Sequence, residues 1–333
     1  MASLSTLPVE LVNILCDDLH PADLAALAAT DVRLYRIAHR PVYRHLVIDN
    51  HNLTCIFTLA RNPHIAALVR SFSIRLAPCS FLLRSFYRLL ATALSNMNEI
   101  TSLHVSIDQA ASWIMSTRDD ASYHGLTHFS SAFHLDDNVV HFLNKADALL
   151  ELELDPRPSD PPVLGLRHGA LPLLKHFAGS SQAAQYLVPG RPVENIHLSA
   201  GDLTEEVAVS LSKSTASILV LAAATSSHSV SLIGTLTRCM EHLVHLRIVT
   251  TYNFSHLPDT TYFSDIADAL TSLPDLQSCE IWGLHWISAK KSFHDQGRVW
   301  ESESFNNTYI PANTLLTNPS FLDDLYSDFS FAY

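Results

Sequence analysis

Charge is scarce in this sequence. Only 16% of its 333 residues are Asp, Glu, Lys or Arg, against about 25% in a typical domain. The charge present is mostly acidic: 21 Lys and Arg stand against 33 Asp and Glu, a net −12. No basic run is longer than Lys290-Lys291. Nucleic-acid binders carry a basic stripe, so DNA and RNA are not expected partners. No apolar run approaches the roughly 18 residues that a membrane span requires. Five cysteines, Cys16, Cys55, Cys79, Cys239 and Cys279, are odd in number, far apart and without a CxxC pair. That pattern predicts free, mostly buried thiols in a reducing compartment. The first residues lack the charged-then-apolar run of a signal peptide, so the expected setting is cytosol or nucleus.

Catalytic signatures are missing as well. There is no GxSxG elbow, no GxxxxGK[ST] loop, no GxGxxG and no HExxH. The 19 histidines invite a metal reading, with His242 and His245 three apart and His124, His128 and His134 close together. They lack Cys, Asp or Glu neighbours at ligand spacing and are read as polar strand or loop residues. No metal, no cofactor and no catalysis are expected.

What is abundant is apolar: 47% of the chain, enough for a large core. It is organised in two ways. Within residues 4–49, three short helices are predicted. Pro8 and Glu10 suit the first turn of one, along which Leu11, Ile14, Leu15 and Leu19 share a face. Pro21 opens a second, with Leu24, Leu27 and Ala28 as its stripe. Asp31 N-caps a third, which Pro41 is expected to end. So short a unit buries little surface and needs a partner, or packs as a cap on the rest of the chain.

From residue 50 onward one spacing recurs: apolar, two others, apolar, one other, apolar or small. It occurs at Val69/Phe72/Ile74, Ile100/Leu103/Val105, Leu126/Phe129/Ser131, Leu149/Leu152/Leu154 and Leu174/Phe177/Gly179. It continues at Val193/Ile196/Leu198, Ile218/Leu221/Ala223, Leu243/Leu246/Ile248 and Leu276/Cys279/Ile281. Successive starts lie mostly about 25 residues apart, the mark of a repeat architecture. The last two apolar positions of each unit are two apart and so point to one side of a strand. Helical spacing is seen in 81–94, after Asp136-Asp137, and in 205–211, 230–240 and 262–273. An ordinary α/β domain with a parallel sheet would give similar periods. The third and fifth positions of each unit point away from the core and are mostly polar. Of these, His104, Glu151, Glu153, His197, Arg247 and Glu280 are candidates for holding a protein substrate on a concave face. The proline-rich run 156–162 reads as a surface loop. From Lys290 the pattern is lost, and 290–333 is either a cap or a tail.

Two resemblances follow. Leu7-Pro8, Glu10-Leu11, Ile14, Leu19, Asp23-Leu24 and Leu27 resemble an F-box, and Pro41-Val42-Tyr43-Arg44 is similar to the end of that motif in fungal members. Thr30 and Leu34-Tyr35 stand where the family often has a small residue or Cys and then a Trp. The LxxLxL units resemble degenerate leucine-rich repeats, without the Asn or Cys usual after the strand. The implied fold class is α/β: an F-box-like three-helix module at 1–49, a leucine-rich-repeat-like solenoid of about nine units at 50–289 with a parallel strand per repeat, and 290–333 beyond it. The resemblance implies a substrate-recognition adaptor of a Skp–cullin–F-box ubiquitin ligase. Leu7, Pro8, Leu11, Ile14, Leu15, Leu19, Leu24 and Leu27 are the positions that match the adaptor-binding series. The alternative is an interaction scaffold whose helices are only a cap.

Overall fold

The computed structural model of the chain describes residues 7–76, 82–155, 157, 165–167, 169–227, 229–250, 260–292 and 295–302. Apart from Arg157, the loop 156–162 lies outside these residues, as do Cys79 and the aromatic positions from Tyr309 to the end. The architecture is mixed α/β, with a mostly parallel sheet of 12 strands. No helix among the described residues is long and apolar enough to cross a membrane.

Three helices come first: α1 (Val9–Asp17), α2 (Pro21–Ala28) and α3 (Val32–Arg44). Pro8 stands at the N-cap of α1 and Pro21 at the first position of α2, where a missing N–H costs nothing. Asp31 caps α3 by accepting from the Arg33 N–H at 2.7 Å, and Arg33 Nη2 donates to the Leu7 carbonyl at 2.9 Å, closing α3 onto the start of α1. The helices share a small core of Val12, Cys16, Leu24, Leu34, Ile37 and Ala38. None of these belongs to the larger core that follows. Pro41 does not end α3. It sits in the last turn, where it forgoes one helical bond, and the helix continues to Arg44. Val42 packs on the small core and Tyr43 on the large one, which holds the last turn in place.

The sheet begins directly at the end of α3, earlier than the recurring spacing predicts. β1 (His45–Ile48) pairs in parallel with β2 (Ser71–Arg75). Then follow β3 (Ser102–Ser106), β4 (His128–Ser131), β5 (Glu151–Glu153), β6 (His176–Ser180), β7 (Asn195–Ala200), β8 (Val220–Thr225), β9 (His245–Thr250) and β10 (Ser278–Ile281). Each of β2 to β10 starts at the third position of a unit in the sequence, and strand order follows chain order without a crossover. One backbone motif repeats at the strand starts. The carbonyl of Arg70 accepts the N–H groups of both Thr101 and Ser102, that of Thr101 those of Thr127 and His128, and that of Thr127 those of Leu150 and Glu151. The same fork recurs as far as Val244, which accepts from Gln277 and Ser278. The paired core positions are buried throughout, as in Phe72/Ile74 and Leu103/Val105.

Helices return between strands: α4 (Thr54–Arg61), α5 (Pro63–Ala66), α6 (Arg84–Asn96), a 3-10 helix (Gln109–Met115), α7 (Asp137–Leu143), α8 (Ser181–Leu187), α9 (Glu205–Leu211), α10 (Val230–Cys239) and α11 (Thr260–Thr271). Several are set by side-chain caps: Asp136 accepts from Val139 N at 2.9 Å, Ser180 from Ala183 N at 3.2 Å and Thr204 from Val207 N at 3.3 Å. Where a unit has a small residue in place of a leucine, a phenylalanine two positions earlier can compensate. A Cβ added at Gly179 would meet the Phe177 ring at 3.0 Å, so that ring already occupies the space.

The parallel pattern stops at Ile281. Trp282 and Gly283, with φ of 54° and 78°, form a two-residue turn between β10 and β11 (Leu284–Ser292). Two positive φ values in such a turn match the twist of an antiparallel hairpin. β11 pairs antiparallel with β12 (Asp295–Ser302). Trp286 and Trp300 are buried and close the end of the large core.

Candidate functional sites

Two surfaces carry the residues singled out in the sequence. The first is the outer face of α1. Its turn geometry places Val12 and Cys16 inward, so the longer apolar stripe of the same helix faces out. Leu11, Ile14 and Leu15 are 48%, 60% and 49% exposed, and Leu19, two residues past the end of the helix, is 37% exposed. Pro8 is exposed beside them. The remaining positions of the series are placed otherwise. Leu24 is buried in the three-helix core, and Leu7 and Leu27 pack against that core. In the free chain Leu24 is therefore a core residue of the helical unit and does not contribute to the exposed face. Its place in the series reflects the need to hold the helices together.

The second surface is the open face of the sheet, opposite the helices. The third and fifth positions of successive units stand side by side as Cα partners. One row runs His128, Glu151, His176, Asn195, and the other His104, Ser130, Glu153, Ala178, His197. Together with their neighbours on β2 to β8 they line a groove of about 740 Å³. Of the six candidates, His104, Glu151, Glu153 and His197 lie in it. Arg247 and Glu280 do not. They stand on β9 and β10 and pair with each other, Nε to Oε2 at 3.0 Å. Arg75, Ser130, His128, His176 and Asn195 line the groove although the six candidates did not include them. For all but Arg75 the signal is the same third or fifth position in a unit.

Hydrogen bonds link side chains across the strands. Ser130 Oγ donates to Glu153 Oε2 at 2.7 Å and lies 3.0 Å from His104 Nδ1. A hydroxyl has one proton, and here it goes to the carboxylate. Ser130 must then accept from a protonated Nδ1, leaving Nε2 of neutral His104 as an acceptor. Asn195 Nδ2 stands 2.9 Å from His176 Nδ1, the geometry of a donor meeting a ring acceptor. His128 Nε2 lies 3.5 Å from Glu151 Oε1. Burial, and then the nearby Arg75 guanidinium, push the His104 pKa below its ordinary value; Glu153 partly opposes them. Burial, Arg247 and His176 do the same for His197. Both imidazoles are therefore neutral at neutral pH, while Glu151 and Glu153 are the carboxylates that the two rows place on β3 to β8. Among the described residues no group of three His, Cys, Asp or Glu side chains is arranged to hold a metal ion. The groove is a strip of hydrogen-bonding groups with an anionic centre, suited to recognition of a polar chain.

No protein-family model matches the chain, and no curated protein matches it.

Proposed function

We propose that this protein is a substrate-recognition adaptor of a Skp–cullin–F-box ubiquitin ligase. In this reading α1–α3 are an F-box that docks on a Skp-type adaptor and, through it, on a cullin. The strands and returning helices are a degenerate leucine-rich-repeat solenoid whose open groove holds a protein substrate. The chain would carry out no covalent step; its contribution is proximity.

One observation carries the reading. Three large apolar side chains of α1, Leu11, Ile14 and Leu15, and Leu19 just beyond it face solvent on a helical unit whose own core lies elsewhere. Apolar side chains clustered at the surface mark interaction sites. A helical cap would turn that face onto the sheet, whereas here it stays exposed, and α3 meets the sheet at its own end, through Tyr43, the Arg44 carbonyl that accepts from Arg70 N, and the strand that follows. Strand order that follows chain order, with a spacing of about 25 residues, supports the solenoid. The test is co-precipitation of a purified Skp-type adaptor with the full chain and with Ile14→Asp/Leu15→Asp. Both positions are exposed, so the variant should fold and lose the adaptor. A wild-type chain that fails to bind any Skp-type adaptor sinks the proposal.

A further inference from the structure

We infer that the open groove takes an extended, basic protein segment and seats a Lys or Arg side chain between Glu151 and Glu153. The inference rests on the groove being the substrate face, as proposed above, and does not depend on the adaptor.

The dimensions favour a chain segment. Seven strands, β2 to β8, line the groove. At about 4.8 Å between strands that is about 29 Å, the span of about nine extended residues. The charges favour a cation. Glu151 and Glu153 alternate on one face of β5, so their Cα atoms are about 7 Å apart, and a single ammonium or guanidinium can reach both. Each carboxylate already has a neighbour, His128 for Glu151 and Ser130 for Glu153, yet a carboxylate accepts at both oxygens and keeps capacity for a charged donor. Of the other fixed charges, Asp155, two residues beyond Glu153, is already neutralised by Arg157 at 3.0 Å, and the rest are distant. Arg75 is three strands away, about 14 Å, and Arg247, four strands away, is held by Glu280. The titratable neighbours are His104 and His128 on one side and His176 and His197 on the other. Geometry leaves His104 an acceptor, and burial helps keep both it and His197 uncharged. The centre of the groove is thus negative at neutral pH and its flanks are polar. An acidic segment, a phosphopeptide or a nucleic acid would be repelled there.

The experiment uses the full chain and a fluorescent peptide of about nine residues made of Gly, Ser and Thr with a central Arg-Ser-Arg. Matched peptides carry Glu or Gln in place of Arg. Anisotropy at about pH 7.5, above the ordinary imidazole pKa, should show saturable binding of the arginine peptide alone, weakened by added salt. Glu151→Gln/Glu153→Gln should weaken it roughly tenfold or more, and Glu151→Lys/Glu153→Lys should turn the preference to the glutamate peptide. Both side chains are exposed, and thermal unfolding of each variant checks the fold. Three outcomes overturn the inference: no saturable binding of the arginine peptide, equal binding of all three peptides, or an unaltered affinity in the folded Gln variant. Adaptor co-precipitation on the same proteins reads the helices separately. A chain that binds the adaptor but not the basic peptide loses this inference alone, and the reverse result removes only the ligase reading.

Discussion

Replacing Leu24 with alanine should open the helical unit and leave the sheet closed. Leu24 is 3% exposed and sits among only six buried side chains. A buried Leu→Ala change costs about 2–5 kcal/mol, more where the site cannot collapse. Taking about 3 kcal/mol, the open population of α1–α3 rises about a hundredfold, at tenfold per 1.4 kcal/mol. Two native cysteines report on the two cores. Cys16 is in the small core and Cys279 in the large one. Burial, and then a neighbouring carboxylate (Asp17 or Glu280), push each thiol above its ordinary pKa, so neither reacts while closed. Labelling with iodoacetamide, mapped by mass spectrometry, should speed up about a hundredfold at Cys16 in the Leu24→Ala chain and stay unchanged at Cys279. If the two thiols accelerate together, the helices and the sheet unfold as one unit and the separation of cores has no energetic meaning. If neither does, Leu24 does not hold the helices together.

Other expectations follow from single features. His104 and His197 have pKa values below the ordinary 6.5, so below that pH the unfolded chain binds more protons than the folded one. Stability should therefore fall as pH drops through 6.5 toward the lowered native values, and His197→Gln should make the decline of the thermal midpoint shallower. Gly201 has φ 86°, and a Cβ there would run into the Ser181 side chain; Gly201→Ala should cost about 1–3 kcal/mol in a denaturant titration. Trp300 is 1% exposed at the end of the core, and Trp300→Ala should cost about 3–5 kcal/mol, lowering protection from hydrogen exchange first in β10 and β11. An unchanged midpoint in either of these variants would show that the contact is not made.

The strands were the most legible part of the chain. A leucine-type residue is needed wherever a strand meets the core, so the period survives even where Gly179 or Ser131 replaces the larger side chain. Helix α9 was legible to the residue, because Thr204 caps it and Val207, Ala208 and Leu211 share one face. The burial of α1 was not. Leu11, Ile14, Leu15 and Leu19 make a stronger apolar stripe than Val12 and Cys16, and hydrophobicity does not say whether a stripe is meant for its own chain. Pro41 misled because a proline in a last turn sacrifices one bond only, less than the packing of Val42 and Tyr43 restores. Alternation along β3 to β7 revealed which side chains share the groove. The hydrogen-bonded chain from His104 through Ser130 to Glu153 was hidden, since it depends on the register between strands far apart in sequence. The same dependence on register hid that Arg247 and Glu280, further along the row that holds His197, pair with each other.

Helix α3 passes into β1 with no residue between Arg44 and His45. The junction therefore works as a phase setting. Each residue of an α-helix advances the chain by about 1.5 Å and turns it by about 100°. One alanine inserted in α3 ahead of Tyr43 would rotate α1 and α2 by that angle about the helix axis, while every contact inside the sheet stayed as it was. The apolar face of α1 and the groove would then point along a different pair of directions. Whatever docks on one would be presented to the other at the wrong azimuth, although both surfaces were intact. The spacing from Asp31 to His45 thus fixes a bearing as well as a length.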